Sequence, residues 1–336
     1  MTQNTNTLLD VRDLKMHFSL RRGFFGRSEK VVRAIDGVSI SVAAGETLSL
    51  VGESGCGKTT VGRCVIGLQK RTGGEVWLNG SRIDALNEGE MRSVRRQMGM
   101  VFQDPFSSLN PRLRVLDLVA EPIRGHGLLP ESRVRQRVGE LLDLVGLPHD
   151  AWSRFPHEFS GGQRQRICIA RALAGEPRLL ICDESVSALD VSVQAQIINL
   201  LADLQSELGL AMLFISHDLA VVEHLSHRVA VMYLGQIVEI ATRDRLFDRP
   251  AHPYTQALLS AVPVPDPSAT NDRIILKGDV PSPTSPPKGC RFHTRCPRVF
   301  EPCTHIAPEL RDAPGGGQVA CHLFPATNVQ STVAAG

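Results

Sequence analysis

The sequence predicts an α/β fold: a mixed sheet flanked by helices, with an antiparallel β subdomain, a helical subdomain and a cysteine-containing C-terminal extension. Three observations carry this. The stretch Gly52-Glu53-Ser54-Gly55-Cys56-Gly57-Lys58-Thr59 reads G-x-x-x-x-G-K-T, and it sits where a strand-like segment turns into a helix-spaced one, the context a phosphate-binding loop requires. Two apolar runs, Leu179-Leu180-Ile181-Cys182 and Ala211-Met212-Leu213-Phe214-Ile215, each end in polar residues, the pattern of buried parallel strands. Between residues 105 and 174 the period becomes helical, as in Val134, Val138, Leu141, Leu142 and Val145, which predicts a helical insert.

The loop's chemistry follows from its residues. Glycines let backbone N–H groups converge on one anion without Cβ clashes, and a helix N-terminus adds unpaired donors. Gly52, Glu53, Ser54, Gly55, Cys56, Gly57, Lys58, Thr59 and Thr60 are therefore expected to bind ATP. Lys58 would reach the β- and γ-phosphates and Thr59 would give its hydroxyl to Mg²⁺.

Composition bounds the rest. The 336 residues suffice for two domains, or for one large domain with an appendage. Acids and bases are interspersed, with a formal net charge of +2, so there is no electrostatic footprint for nucleic acid. No apolar run approaches the length needed to span a bilayer. The polar start Met1-Thr2-Gln3-Asn4 lacks a signal-peptide layout. A cytosolic chain is the expectation, and its eight cysteines then stand for thiols or metal ligands rather than disulfides.

Along the chain, Leu8-Leu9-Asp10-Val11 and Val38-Ser39-Ile40-Ser41-Val42 alternate as short strands. Residues 21–30 form a basic, Gly-containing insertion whose Phe24 and Phe25 could stack on an adenine or simply sit in a solvated loop; Phe18 is a third candidate. A strand closes at the hairpin signal Asn79-Gly80. A basic helix is expected over 90–97, its charges forming a solvated face, and a strand over 98–102 ends at Gln103-Asp104-Pro105. Ser160-Gly161-Gly162-Gln163 opens a helix as a second ready-made anion site.

The run over 179–182 delivers Asp183 and Glu184 to a carboxyl strand end, where open α/β sheets bind ligands. Adjacent strand residues point to opposite sides, so the two carboxylates have different tasks. Asp183 would hold Mg²⁺ through water, and Glu184 would face the γ-phosphate to orient or deprotonate a water. A helix is expected from Val191 to Leu208. The next strand brings His217 to the same edge, and a hairpin turns at Leu234-Gly235. The nucleotide domain is taken as 1–262, with a helical subdomain at about 105–174.

Six motifs in this order resemble the ATPase subunits of ABC transporters: the G-x-x-x-x-G-K-T loop, Gln103, Ser160 to Gln163, Leu179 to Glu184, Ser187 to Asp190 and His217. The resemblance implies a P-loop NTPase core of the ABC ATPase kind. It assigns catalytic roles to Glu184, His217 and Gln103, and a Mg²⁺ site to Thr59, Gln103 and Asp183. It also implies a head-to-tail dimer, in which Ser160, Gly161, Gly162, Gln163 and Asp190 act in trans on the ATP of a second ABC ATPase subunit, identical or paralogous. The surface at Phe106, Ser107, Ser108 and Leu109 would meet the coupling helices of two membrane-spanning permease subunits. One departure stands out: the family usually reads Asp-Glu-Pro, and here Ser185 replaces the proline. Both carboxylates remain, so activity is expected.

Ala251-His252-Pro253-Tyr254-Thr255-Gln256-Ala257-Leu258-Leu259 and the Pro-rich, Cys-containing segment after it resemble the oligopeptide/dipeptide importer branch, and within it the dipeptide type's second ATPase subunit. That implies an ATP-hydrolysing motor at the cytoplasmic face of a bacterial inner membrane. A periplasmic or extracellular substrate-binding protein would be an indirect partner. Importers of nickel or another small solute, and soluble non-transport ABC ATPases, are the alternatives. Residues 263–289 read as a semi-extended linker. The extension, 263–336, then holds Cys290, Cys296, Cys303 and Cys321, while Cys56, Cys64, Cys168 and Cys182 lie in core motifs as plain thiols. The tail set suits a soft metal or free thiols. Its gaps of five, six and seventeen residues fit poorly with zinc. The resemblance implies a [4Fe–4S] cluster, with zinc as the alternative.

Overall fold

The structure is a computed structural model that describes residues 6–20, 30–262 and 273–324. Phe24 and Phe25, two of the three adenine candidates, lie outside the described residues. The chain opens with two long strands, β1 (Thr7–Leu20) and β2 (Lys30–Ala43), paired antiparallel. They are longer than the alternating segments in the sequence, because several register shifts along the pair break strict alternation. The short strand β3 (Thr47–Val51) is buried at every position and leads through the glycine-rich loop into helix α1 (Lys58–Val65).

A hairpin follows, β4 (Gly73–Leu78) and β5 (Ser81–Arg82). Its turn residues Asn79 and Gly80 have φ of 49° and 75°, as a tight hairpin demands. These strands form an antiparallel sheet ordered β2-β1-β4-β5. Helix α2 (Glu88–Arg95) is opened by a capping box between Asn87 and Glu90, and β6 (Met98–Val101) is buried throughout.

The helical insert comprises α3 (Pro105–Ser108), α4 (Val115–Gly125), α5 (Glu131–Leu144), two 3₁₀ turns and α6 (Gly161–Leu173). Val134, Val138, Leu141 and Leu142 form the buried stripe of α5, as the helical period requires.

The chain then returns through β7 (Leu179–Asp183), α7 (Val191–Leu208), β8 (Ala211–Ser216), α8 (Leu219–Leu225), β9 (Arg228–Tyr233) and β10 (Gln236–Thr242). Two helices, α9 (Arg243–Asp248) and α10 (Pro253–Ser260), precede the tail with α11 (Glu301–His305), β11 (Arg311–Asp312) and β12 (Gln318–Val319). Among the described residues the main sheet runs β11-β12-β10-β9-β3-β8-β7-β6. Its β9-β3-β8-β7-β6 part is parallel, and β10, β11 and β12 are antiparallel additions. The sheet is therefore mixed. Leu179, Leu180 and Ile181 are completely buried, each adding about 1.5–3 kcal/mol of burial. That rigid centre carries the loop after β3 and the acids at the end of β7.

The tail folds onto the cassette. Val319 of β12 pairs with Glu239 of β10. Phe292, 1% exposed, packs between Tyr233 and Tyr254, with ring centroids 5.3 Å from each. Arg291 donates to Asp36 and to the Leu234 carbonyl.

The [4Fe–4S] or zinc site expected at Cys290, Cys296, Cys303 and Cys321 finds no support: among the described residues, no group of three or more His, Cys, Asp or Glu side chains is placed to hold a metal ion. The thiols do come within each other's electrostatic reach. Burial pushes Cys290 up to about 11, with Cys303, Cys321 and Cys296 adding to it. Cys296 and Cys321 are raised for the same reason. His293 and His322 bond to backbone carbonyls instead, those of Cys290 and Ile306.

Candidate active site

The phosphate loop is shaped by close backbone approaches. Gly57 has φ 110°, and a Cβ there would lie 2.2 Å from the Ala34 carbonyl oxygen. At Gly52 a Cβ would lie 2.2 Å from the Met232 carbonyl oxygen. Only glycine fits such positions. Lys58, 4% exposed, folds over the loop and donates through Nζ to the carbonyls of Gly52 (2.8 Å) and Glu53 (3.2 Å). Cys56 is buried, and burial raises its thiol pKa against the pull of Lys58.

Three strand ends converge on this loop. Asp183 ends β7, and its Oδ1 accepts from the Thr59 hydroxyl at 2.7 Å. Burial raises the Asp183 pKa, with the Thr59 hydroxyl opposing. Glu184 leaves the strand with φ 46°, a left-handed conformation uncommon outside glycine. That turn swings its carboxylate under the loop. Oε1 lies 4.0 Å from Lys58 Nζ and 3.5 Å from His217 Nδ1, while Oε2 accepts from Gln103 Nε2 at 2.9 Å. Gln103 follows β6 and His217 follows β8. Two adjacent carboxylates thus serve different partners, as expected, but it is the turn at Glu184 rather than strand pleat that separates them.

The Thr59–Asp183 pair offers hard oxygen donors side by side, which suits Mg²⁺. Gln103, the third expected ligand, is turned to Glu184 instead. The Ser185 hydroxyl is buried beside the Cys182 thiol. Phe18 is part-buried and packs on the core beneath the antiparallel sheet.

Other expected residues do not join this cluster. Ser160 caps α6, its hydroxyl accepting from the Gln163 N–H while Gln163 Oε1 accepts from the Ser160 N–H. Gly162 allows α6 and α7 to touch, since a Cβ would lie 2.5 Å from Val193 Cγ1. Asp190 is exposed and precedes α7. The bonds of these residues stay local. Two contacts that sequence reading missed reach the loop from far along the chain: Tyr254 at the Glu53 amide and Arg295 at its carboxylate. The 251–259 motif marks the first; nothing local marks Arg295.

Comparison with known proteins fits this geometry. Residues 35–187 match the ABC transporter family. The chain is 53% identical to the oligopeptide transport ATP-binding protein AppF of Bacillus subtilis, over 96% of this chain and 98% of that protein. It is 50% identical to OppF of Escherichia coli, over 92% and 94%. Among solved structures, a dimeric, post-hydrolysis state of the ATP-binding cassette MJ0796 with ADP and Pi matches at 28% identity, TM-score 0.63, covering 70% of this chain and 99% of that one. The chain belongs to the ABC transporter family and is an ATPase of that class. Within the family it carries the oligopeptide/dipeptide transporter C-terminal region, matched over residues 238–303.

Proposed function

We propose that this chain is the ATP-hydrolysing subunit of an importer for di- or oligopeptides. The observation that carries the enzymatic part is the Glu184 carboxylate, set between Lys58, Gln103 and His217 at the mouth of the phosphate loop. The peptide substrate is supported by the relatives' names, AppF and OppF being oligopeptide transport proteins. Residues 1–262 serve as the nucleotide-binding domain, and 263–336 as its cysteine-containing extension.

Lys58 exchanges the loop carbonyls for the β- and γ-phosphates when ATP enters. Loop N–H groups from Gly55 to Thr60 cradle the phosphates. Thr59 and Asp183, with Gln103, would hold Mg²⁺, which would neutralise phosphate charge. Glu184 orients a water and takes its proton, as a carboxylate within hydrogen-bonding reach can. His217, in contact with Glu184, supports the γ-phosphate. Ser160, Gly161, Gly162, Gln163 and Asp190 are left to complete the site of a second cassette subunit; the dimeric MJ0796 cassette supports that arrangement. No helix among the described residues is long and apolar enough to cross a membrane. We therefore place the chain peripherally, on the cytoplasmic face, docked on two permease subunits and indirectly served by a substrate-binding protein.

The test is reconstitution with the permease pair and binding protein, measuring uptake of dipeptides, longer peptides and nickel alongside ATP hydrolysis. Glu184→Gln should retain ATP binding while hydrolysis falls by about 10²–10⁴-fold. Wild-type turnover in that variant would remove Glu184 as the base. Nickel uptake without peptide uptake would overturn the substrate.

A further inference from the structure

The 251–259 motif and the tail residue Arg295 take no part in the chemistry above, yet both end on the phosphate loop. The Glu53 N–H donates to Tyr254 Oη at 2.9 Å. The Glu53 carboxylate accepts from Arg295 Nη1 at 2.8 Å and from Nη2 at 3.1 Å, a two-pronged pair of the strong kind. The Arg295 side chain is 9% exposed and that of Glu53 28%, so neither is a freely solvated surface charge.

Both contacts are themselves held by buried groups. The Glu239 carboxylate, 1% exposed, accepts from the N–H groups of Ala251 and His252, each at 2.8 Å. His252 Nδ1 accepts from the Tyr254 N–H at 3.0 Å. The Tyr254 ring packs against Tyr233, with centroids 4.7 Å apart, and against Phe292 of the tail. Tyr254 therefore approaches the loop from a fixed position, and the Arg295 guanidinium lies over the Tyr233 ring, 6.0 Å from its centroid.

The electrostatic sense is plain. Glu53 puts a negative charge inside a loop that receives a polyphosphate, and like charges repel. Arg295 cancels that charge before the ligand arrives. Tyr254 fixes the orientation of the peptide that follows Gly52.

We propose that Arg295 and Tyr254 are positioning residues for the phosphate loop: by holding Glu53 they make ATP affinity depend on the docked C-terminal tail. The inference rests on the loop being the ATP site. Removing the guanidinium leaves the Glu53 carboxylate partly buried and unpaired within the loop that receives the phosphates. Removing the carboxylate as well abolishes that liability, so the two losses are coupled rather than additive.

The experiment is equilibrium titration of the full chain with a fluorescent ATP analogue and Mg²⁺, with a melting curve for each variant. Arg295→Met is expected to raise Kd by about tenfold, a coupling of ordinary size for a charge pair. Arg295→Lys should recover part of the loss, because it restores charge without the fork. In a Glu53→Gln background, Arg295→Met should add nothing. Tyr254→Phe should raise Kd by about two- to threefold, the cost of one hydrogen bond, and it carries the test with Arg295→Lys if Arg295→Met fails to fold. Unchanged affinity in the Arg295 and Tyr254 variants, or losses that simply add to Glu53→Gln, would overturn the proposal. Lys58→Ala separates the two layers. Full affinity there removes the ATP-site reading itself, whereas lost affinity there with unchanged Arg295 and Tyr254 variants removes only this inference.

Discussion

His252 should make the fold acid-sensitive by a calculable amount. Its side chain is 1% exposed, and burial pulls its pKa from the ordinary 6.5 down to about 3. The ring is neutral in the folded chain, with Nδ1 unprotonated because it accepts the Tyr254 N–H. The unfolded chain takes up a proton near pH 6.5 that the folded chain refuses until about pH 3. Stability from this group is therefore complete above pH 6.5 and is lost as pH falls from there toward 3. At 1.36 kcal/mol per pH unit the loss is about 2 kcal/mol at pH 5 and approaches about 5 kcal/mol below pH 3. His252→Asn keeps an acceptor that can cap α10 but removes the titration. Urea unfolding at pH 7.5, 6 and 5 reads the difference. The wild type should lose about 2 kcal/mol more than the variant between pH 7.5 and 5. Equal losses in the two proteins would refute the assignment of His252 as the acid-labile group.

Further outcomes are expected from the same geometry. Gly57→Ala places a Cβ 2.2 Å from the Ala34 carbonyl oxygen; it should abolish ATP binding in titration and lower the melting temperature. Glu239→Gln retains an acceptor but loses the charge that two backbone N–H groups share. It should cost about 1–3 kcal/mol in urea unfolding, and an unchanged midpoint would show that the neutral amide serves equally well.

Much of the cassette was legible in the sequence because its signals are local. The helix Val191–Leu208 has the expected bounds, since Gly209 (φ 61°) stops it. The strands β7 and β8 were readable as apolar runs ending in functional polar residues, and both are buried at every position. The long β1–β2 ribbon was read as short pieces, because its register shifts leave no clean period. The left-handed turn at Glu184 left no trace in sequence, because Glu is not a residue that announces positive φ. Arg295 and Glu53 are 242 positions apart, and a single arginine in a polar tail carries no pattern. The four tail cysteines are the converse case: proximity in sequence suggested a ligand set, and the fold does bring Cys290 within electrostatic reach of the other three, yet no metal-holding group stands among the described residues.

The pairing of β12 on β10 has a consequence for solubility. Strand β10 would otherwise be the free margin of the sheet, buried over Ile237 to Ala241 and offering unsatisfied amides to any passing chain. Two residue pairs, Glu239 with Val319 and Ile240 with Gln318, occupy that margin. Gly317 lets the cover lie close, since a Cβ there would be 2.5 Å from the Ile240 carbonyl oxygen. The β12 segment thus acts as a selvedge along this part of the sheet, so that a second chain cannot knit onto β10 there.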